Sequence, residues 1–256
     1  MKRDTAKMAS ISTRKIADVT LTFWIMKICA TTVGETGGDM LSMTFKWGYA
    51  TSTLILLNGF LVILAAQLFS KVFHPLLYWG VILATSTVGT TISDFMDRTL
   101  GLGYATGSTI LIILLIGALA SWRFSMGTIS VDHIKSSKGE CFYWLAILIS
   151  NTLGTAIGDF LSDSSGLGYA ETNLMISSII GAIVLMYFFT SISRTTLFWS
   201  AFVLTRPFGA TMGDLLTKNP EYGGFGFGTI GSSLLLLFIL LGLIMFSSRQ
   251  KHRAVE

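Results

Sequence analysis

Apolar stretches long enough to span a bilayer recur along the whole chain, separated by short polar segments. A spanning helix takes about 20 residues, and the pattern predicts helices over 18–42, 50–70, 76–97, 105–122, 141–162, 171–190, 196–216 and 229–247. Residues 18–122 and 141–247 supply four helices each; 1–17 is a polar tail, 123–140 a polar linker and 248–256 a second tail. The apolar run after Lys15 outlasts a signal-peptide core, and no small-residue cleavage site follows it. The first helix is therefore expected to stay uncleaved.

The pattern repeats. Trp24, Trp79, Trp144 and Trp199 each stand near the start of an apolar block. Ten residues after them come Gly34, Gly89, Gly154 and Gly209, and fifteen after them Asp39, Asp94, Asp159 and Asp214. The residue before each aspartate is small: Gly38, Ser93, Gly158, Gly213. A second signature follows as Trp47-Gly48-Tyr49, Leu102-Gly103-Tyr104 and Leu167-Gly168-Tyr169, stretched in the last copy to Gly224-Phe225-Gly226-Phe227-Gly228. Tryptophan spacings of 55, 65 and 55 make copies one and two recur as three and four at an offset of 120. Each copy predicts two helices joined by a loop of eight to ten residues. A two-helix unit returns the chain to its starting side, so the four repeats are parallel and not inverted.

On these tryptophans, over residues 20–247, the chain resembles a family of bacterial membrane proteins with four tandem repeats, each of two transmembrane segments and one characteristic tryptophan. That family is a domain of unknown function. The resemblance implies the same fold as the pattern: an all-α integral membrane protein with eight transmembrane helices from four parallel two-helix repeats. It implies no substrate.

Composition agrees. Hydrophobic residues make up 52% and charged residues 12%, against about 25% charged in soluble domains. Eight spans leave no room for a separate catalytic domain, so no enzyme activity and no cofactor are expected. Of the 18 Lys and Arg, thirteen fall on the side of the termini and three, Lys46, Arg98 and Lys218, on the other. The remaining two, Lys27 and Arg206, lie within helices. This bias places both termini in the cytoplasm and the protein in the inner (plasma) membrane. The net charge of +4 is then a matter of contact with anionic lipid, not nucleic acid. Trp24, Trp79, Trp144 and Trp199 would be anchors at the cytoplasmic interface. Lys27, one turn from Trp24, is expected to snorkel to the headgroups. Cys29 and Cys141 read as small apolar residues and not as halves of a disulfide. Oligomeric state has no signal in the sequence.

The candidate chemistry is acidic. Fifteen helical residues rise about 22 Å, which sets the four aspartates deep toward the outer leaflet. At 100° per residue, Thr32, Glu35 and Asp39 share a stripe, as do Thr87, Thr90 and Asp94, and Thr152, Thr155 and Asp159. In copy four the stripe is Pro207, Ala210 and Asp214. A carboxylate at membrane depth faces the bundle interior or a wet cavity. Gly34, Gly38, Gly89, Gly154, Gly158, Gly209 and Gly213 lie on a second face, where small-xxx-small pairs let helices approach. Arg206 stands where the other copies have Thr31, Ser86 and Asn151; it is the expected counter-ion of one of the acids. Pro207 beside it is expected to kink the helix. Crowding of Glu35 with Asp39, Asp94 and Asp159 would strain the site, so neutralising Glu35 is expected to stabilise the protein. Asp97, Asp163, Glu171 and Glu221 read as solvated loop charges.

Two readings of the repeated aspartates stay open. They line a shared site, or they cap the amides of the Gly-rich loops. The segment Glu35-Thr36-Gly37-Gly38-Asp39 resembles the E-x-G-D-[KR]-[TS] motif of manganese- and calcium-for-proton exchangers, with one extra residue and no basic one. His74, His133 and His252 have no metal-ligand spacing, and no P-loop or dinucleotide fingerprint occurs. Thr36-Gly37-Gly38-Asp39 and Ala156-Ile157-Gly158-Asp159 lack the first glycine of the G-x-G-D motif of intramembrane aspartyl proteases. The expected function is cation transport, of a divalent metal and coupled to protons through Glu35 or an aspartate. The alternative is a structural or sensory membrane protein whose acids brace the outer loops. Reporter fusions near Lys135 and at the C-terminus should both report cytoplasm; a periplasmic signal at either would overturn the eight-helix topology.

Overall fold

Helix starts are set by local chemistry. The Thr20 hydroxyl accepts the Phe23 amide at 3.2 Å, and the Ser136 hydroxyl accepts the Gly139 amide at 3.2 Å. Pro75 fills the first turn of a third helix, where a missing amide is harmless. The computed structural model describes residues 17–70, 72–131, 134 and 136–253. Residues 1–16, Lys71, Asp132, His133, Lys135 and residues 254–256 lie outside the described residues, and with them several of the basic residues on which the expected orientation rests.

Among the described residues all regular structure is helical, in eight α-helices. They are α1 (Leu21–Asp39), α2 (Tyr49–Phe69), α3 (Pro75–Asp94), α4 (Tyr104–Met126), α5 (Ser137–Asp159), α6 (Tyr169–Phe189), α7 (Arg194–Thr217) and α8 (Thr229–Arg253). After its aspartate each of α1, α3 and α5 runs on as a π-helical turn, over Met40–Thr44, Phe95–Thr99 and Phe160–Ser164. There amides reach carbonyls five residues back, as in Phe45 to Met40, Leu100 to Phe95 and Ser165 to Phe160, each at 2.9 Å. The loops shrink accordingly to 45–48, 100–103 and 165–168, shorter than the spacing predicts, because these wider turns keep the chain helical. The glycine of the Gly-Tyr signature ends each loop at positive φ, +73° at Gly48, +72° at Gly103 and +79° at Gly168, which explains its recurrence. The linker contracts as well, since α4 continues to Met126 and α5 starts at Ser137. α8 continues past 247 to Arg253. α7 stays helical through Pro207; no break or unwound stretch forms there.

The first helices of the repeats, α1, α3, α5 and α7, pack side by side into a closed ring. Each second helix packs outside the ring, chiefly on the first helix of the next repeat: α2 on α3, α4 on α5, α6 on α7 and α8 back on α1. A Cβ on Gly34 would overlap Ser86, one on Gly154 would overlap Arg206, and one on Gly209 would overlap Thr31. On Gly89 it would stand 2.9 Å from the Thr152 amide. One turn on, Cβ atoms on Gly38, Gly158 and Gly213 would stand 3.0, 3.3 and 2.9 Å from Thr90, Ala210 and Glu35. Both rows climb together around the ring, so its helices run parallel.

The second helices carry the apolar surface. Leu54, Val62 and Phe69 on α2 and Leu234 and Phe238 on α8 are 63–85% exposed. Six helical segments are long and apolar enough to cross a membrane: Tyr49–Phe69, Pro75–Thr99, Tyr104–Met126, Ser137–Ser164, Tyr169–Phe189 and Thr229–Arg249. That number defines a multi-pass membrane protein with lipid-facing outer helices. α1 and α7 are not among them. Lys27, Glu35 and Asp39 interrupt α1, and Arg206 and Asp214 interrupt α7.

Packing of this kind has a direct test. Gly154→Ala should lower stability by about 1–3 kcal/mol through overpacking. Gly181→Ala, on α6 where an added Cβ meets nothing within 4 Å, should be neutral or stabilise by up to about 1 kcal/mol. Melting curves of the solubilised variants check both.

Candidate functional site

At the end where the repeats begin, the ring is filled by aromatic rings. Trp79, Trp144 and Trp199 are 2%, 1% and 5% exposed, and Trp24 is partly buried. They are not interface anchors. Trp79 stacks edge-on against Tyr78 at 5.5 Å, and Trp144 against Tyr143 at 5.0 Å. Trp199 meets Trp122 edge-on at 5.8 Å and donates its indole N–H to Ile129 O at 3.0 Å. The Tyr78 and Tyr143 hydroxyls bond each other at 2.7 Å with no solvent exposure. The tryptophans pack on protein because each lies on a first helix, which is surrounded by other helices.

One turn further along lies Lys27, fully buried and therefore not snorkelling. Its ammonium donates to Asn151 Oδ1 at 3.3 Å and sits 4.1 Å over the Phe202 ring. Asn151 in turn donates to Thr85 Oγ1 at 2.9 Å. α1 turns this side chain inward toward α5 and α7, which keeps it from reaching the lipid surface.

Beyond it the axis holds an ion pair. Arg206 Nη2 lies 2.9 Å from Glu35 Oε2, with side chains 0% and 4% exposed. Thr90 and Thr155 donate to the same Glu35 oxygen at 3.2 and 3.3 Å. Arg206 also donates to Ser86 O at 3.3 Å and Thr155 Oγ1 at 2.7 Å. All four first helices thus meet at one charged group. The pair reverses the expectation for Glu35: with a fully buried guanidinium against it, neutralising the acid removes a partner instead of relieving repulsion.

The four aspartates form the next layer, each 2–4% exposed, at Asp39, Asp94, Asp159 and Asp214. They fall into two pairs. Arg98 Nε lies 2.9 Å from Asp94, and Arg98 Nη2 lies 3.2 Å from Asp159. Lys218 Nζ lies 2.9 Å from Asp39 and 3.1 Å from Asp214. None of Asp39, Asp94 and Asp159 makes a side-chain cap to the π turn that follows it. One oxygen each from Glu35, Asp39 and Asp214 lie within 4.8 Å of one another.

Thr32, Thr87 and Thr152 stay apart from this cluster. Their hydroxyls bond carbonyls four residues back at 3.0 Å each, on Ile28, Leu83 and Leu148. Asp163, Glu171 and Glu221 are exposed, whereas Asp97 is buried, at 6% exposure. Asp97 lies against Gly107 and accepts from Ser93 Oγ at 3.4 Å; its repeat counterparts are Ser42, Ser162 and Thr217, which bond their own helices. The sequence reading missed Arg98 and Lys218. The signal was present: each stands four residues after an aspartate, and the two are 120 residues apart. Copies one and three carry Met43 and Asp163 at that position.

These features define a class: a helical multi-pass membrane protein with tandem repeats closed around a buried, charged axis. The family described as Repeat of Unknown Function (DUF347) matches residues 22–73, 77–128, 142–193 and 197–253. Each match begins two residues before a repeat tryptophan, in the register of the ring. The chain belongs to this family. No curated protein and no solved structure matches it.

Breaking a buried pair by removing one partner costs about 3–5 kcal/mol, while replacing both with apolar groups is often neutral. Glu35→Gln and Arg206→Met should each lower stability by that amount, and the double variant should regain most of the loss. A double-mutant cycle by thermal melting measures it; additive losses would show that the two side chains act independently.

Proposed function

We propose that this protein transports a divalent cation across the inner (plasma) membrane, with Glu35, Asp39 and Asp214 as the ligands. The observation that carries the reading is the spacing of their oxygens, within 4.8 Å of one another, on residues only 3–4% exposed. Calcium binds oxygen at about 2.4 Å, so two ligands of one ion stand at most about 4.8 Å apart. Carboxylates are hard ligands suited to Ca²⁺ or Mn²⁺. Charge supports the same class of ion. Around the acid layer five carboxylates, of Glu35, Asp39, Asp94, Asp159 and Asp214, face three cations, Arg98, Arg206 and Lys218; with all of them ionised, one divalent ion would neutralise the difference.

In this reading all eight helices cross the membrane with both termini in the cytoplasm. α1 and α7 tolerate their charges because those charges face the ring interior. The aromatic layer closes the cytoplasmic end, and transport requires it to open. A bracing role is the second reading, favoured by the fact that each aspartate already has a cationic partner.

Ca²⁺ or Mn²⁺ at about one hundred times its dissociation constant should stabilise the solubilised protein by about 2.7 kcal/mol. Asp39→Asn and Asp214→Asn should abolish that shift and abolish ion uptake into proteoliposomes. An unchanged melting temperature together with no uptake by wild type would leave the bracing role.

A further inference from the structure

Lys218 and Arg98 are unlike the carboxylates they hold. Their side chains are 23% and 32% exposed, while the paired acids are 3–6% exposed. Both therefore reach the mouth of the axis, and each can leave its acids for water without the helices separating. The two are related by the 120-residue offset of the duplicated halves, and so are the aspartates they bridge. Lys218 is also placed by its own backbone. It ends α7 in an extended conformation, its amide on Asp214 O at 2.8 Å and its carbonyl accepting from Gly226 at 2.8 Å. A Cβ on Gly224 would overlap that carbonyl. The stretched Gly-rich signature of copy four thus wraps the lysine and sets its ammonium between Asp39 and Asp214.

Resting on the reading above, we propose that Lys218 determines the selectivity of the site for divalent over monovalent cations, with Arg98 as its twin at Asp94 and Asp159. The ammonium stands against two of the three candidate ligands. An entering ion must displace it. A tethered group competes at an effective concentration on the order of millimolar or above, and a free Na⁺ or K⁺ brings only the same single charge. The exchange gains a monovalent ion nothing. A divalent ion doubles the Coulomb attraction to the same oxygens and can drive the lysine out to solvent. The lysine is a specificity-determining residue in this scheme; its charge sets the threshold an ion has to exceed.

Three measurements test this. Cation dissociation constants for Ca²⁺, Mn²⁺, Na⁺ and K⁺ are read by titrating the melting temperature of wild type and Lys218→Met. The variant should bind monovalent ions at least tenfold more tightly and show a smaller divalent-to-monovalent ratio, while Lys218→Arg keeps the wild-type ratio. Arg98→Met repeats the comparison at the other acid pair if Lys218→Met does not fold. On wild-type protein, acylation of Lys218 by an amine-reactive reagent, followed by mass spectrometry, should accelerate severalfold with Ca²⁺ or Mn²⁺ and not with Na⁺. An unchanged ratio in the variants, or labelling indifferent to divalent ions that do bind, makes Lys218 a clamp only and overturns the inference while the cation site stands. Absence of binding by wild type and variants alike overturns both.

Discussion

The close approach of four helix backbones across glycine is the constraint on which the rest depends. In lipid no hydrophobic force drives one apolar helix onto another, so contact has to come from packing and interior hydrogen bonds. Glycines ten residues after each tryptophan remove the side chain that would hold neighbouring backbones apart, and Ser86, Asn151, Arg206 and Thr31 fill the space. Because the same residue recurs on each first helix, the contact closes into a ring. Closure then fixes where every other residue of these helices points. The seam beside the glycines becomes an enclosed axis, and the second helices are left to cover the outside.

An enclosed axis changes what polar residues can do. Buried polar groups need partners, and charges need them more. The ring meets this by layering. Aromatic side chains close one end, and Lys27 rests on an amide and a ring face. Arg206 holds Glu35 with hydroxyls from α3 and α5. The aspartates pair off beneath two cations that still reach water. The backbone and the four aspartates repeat four times, but the charges deeper on the axis do not. Divergence after duplication put one acid, Glu35, in copy one and one base, Arg206, in copy four, on adjacent helices of the closed ring. A symmetric ring with four arginines or four glutamates on its axis would repel itself; a single complementary pair does not.

Much of this architecture can be read along the chain, because periodicity and repetition are local properties. The eight helical segments and the parallel two-helix repeats follow from the spacing of Trp24, Trp79, Trp144 and Trp199 and the apolar blocks behind them. The inward stripe through Glu35, Thr90 and Thr155 also follows, since the angle between residues on one helix is fixed by its pitch. Tertiary structure alone decided the partners. Which helix follows which around the ring is a long-range matter, and so the pairing of Glu35 with Arg206, 171 positions apart, is invisible to any local period. The same holds for the tryptophans and Lys27, whose type suits an interface but whose helices are enclosed, and for Lys218, which looks like a loop charge until α7 packs beside α1. Sequence sets what each helix presents on each face; only the closing of the ring settles what that face meets.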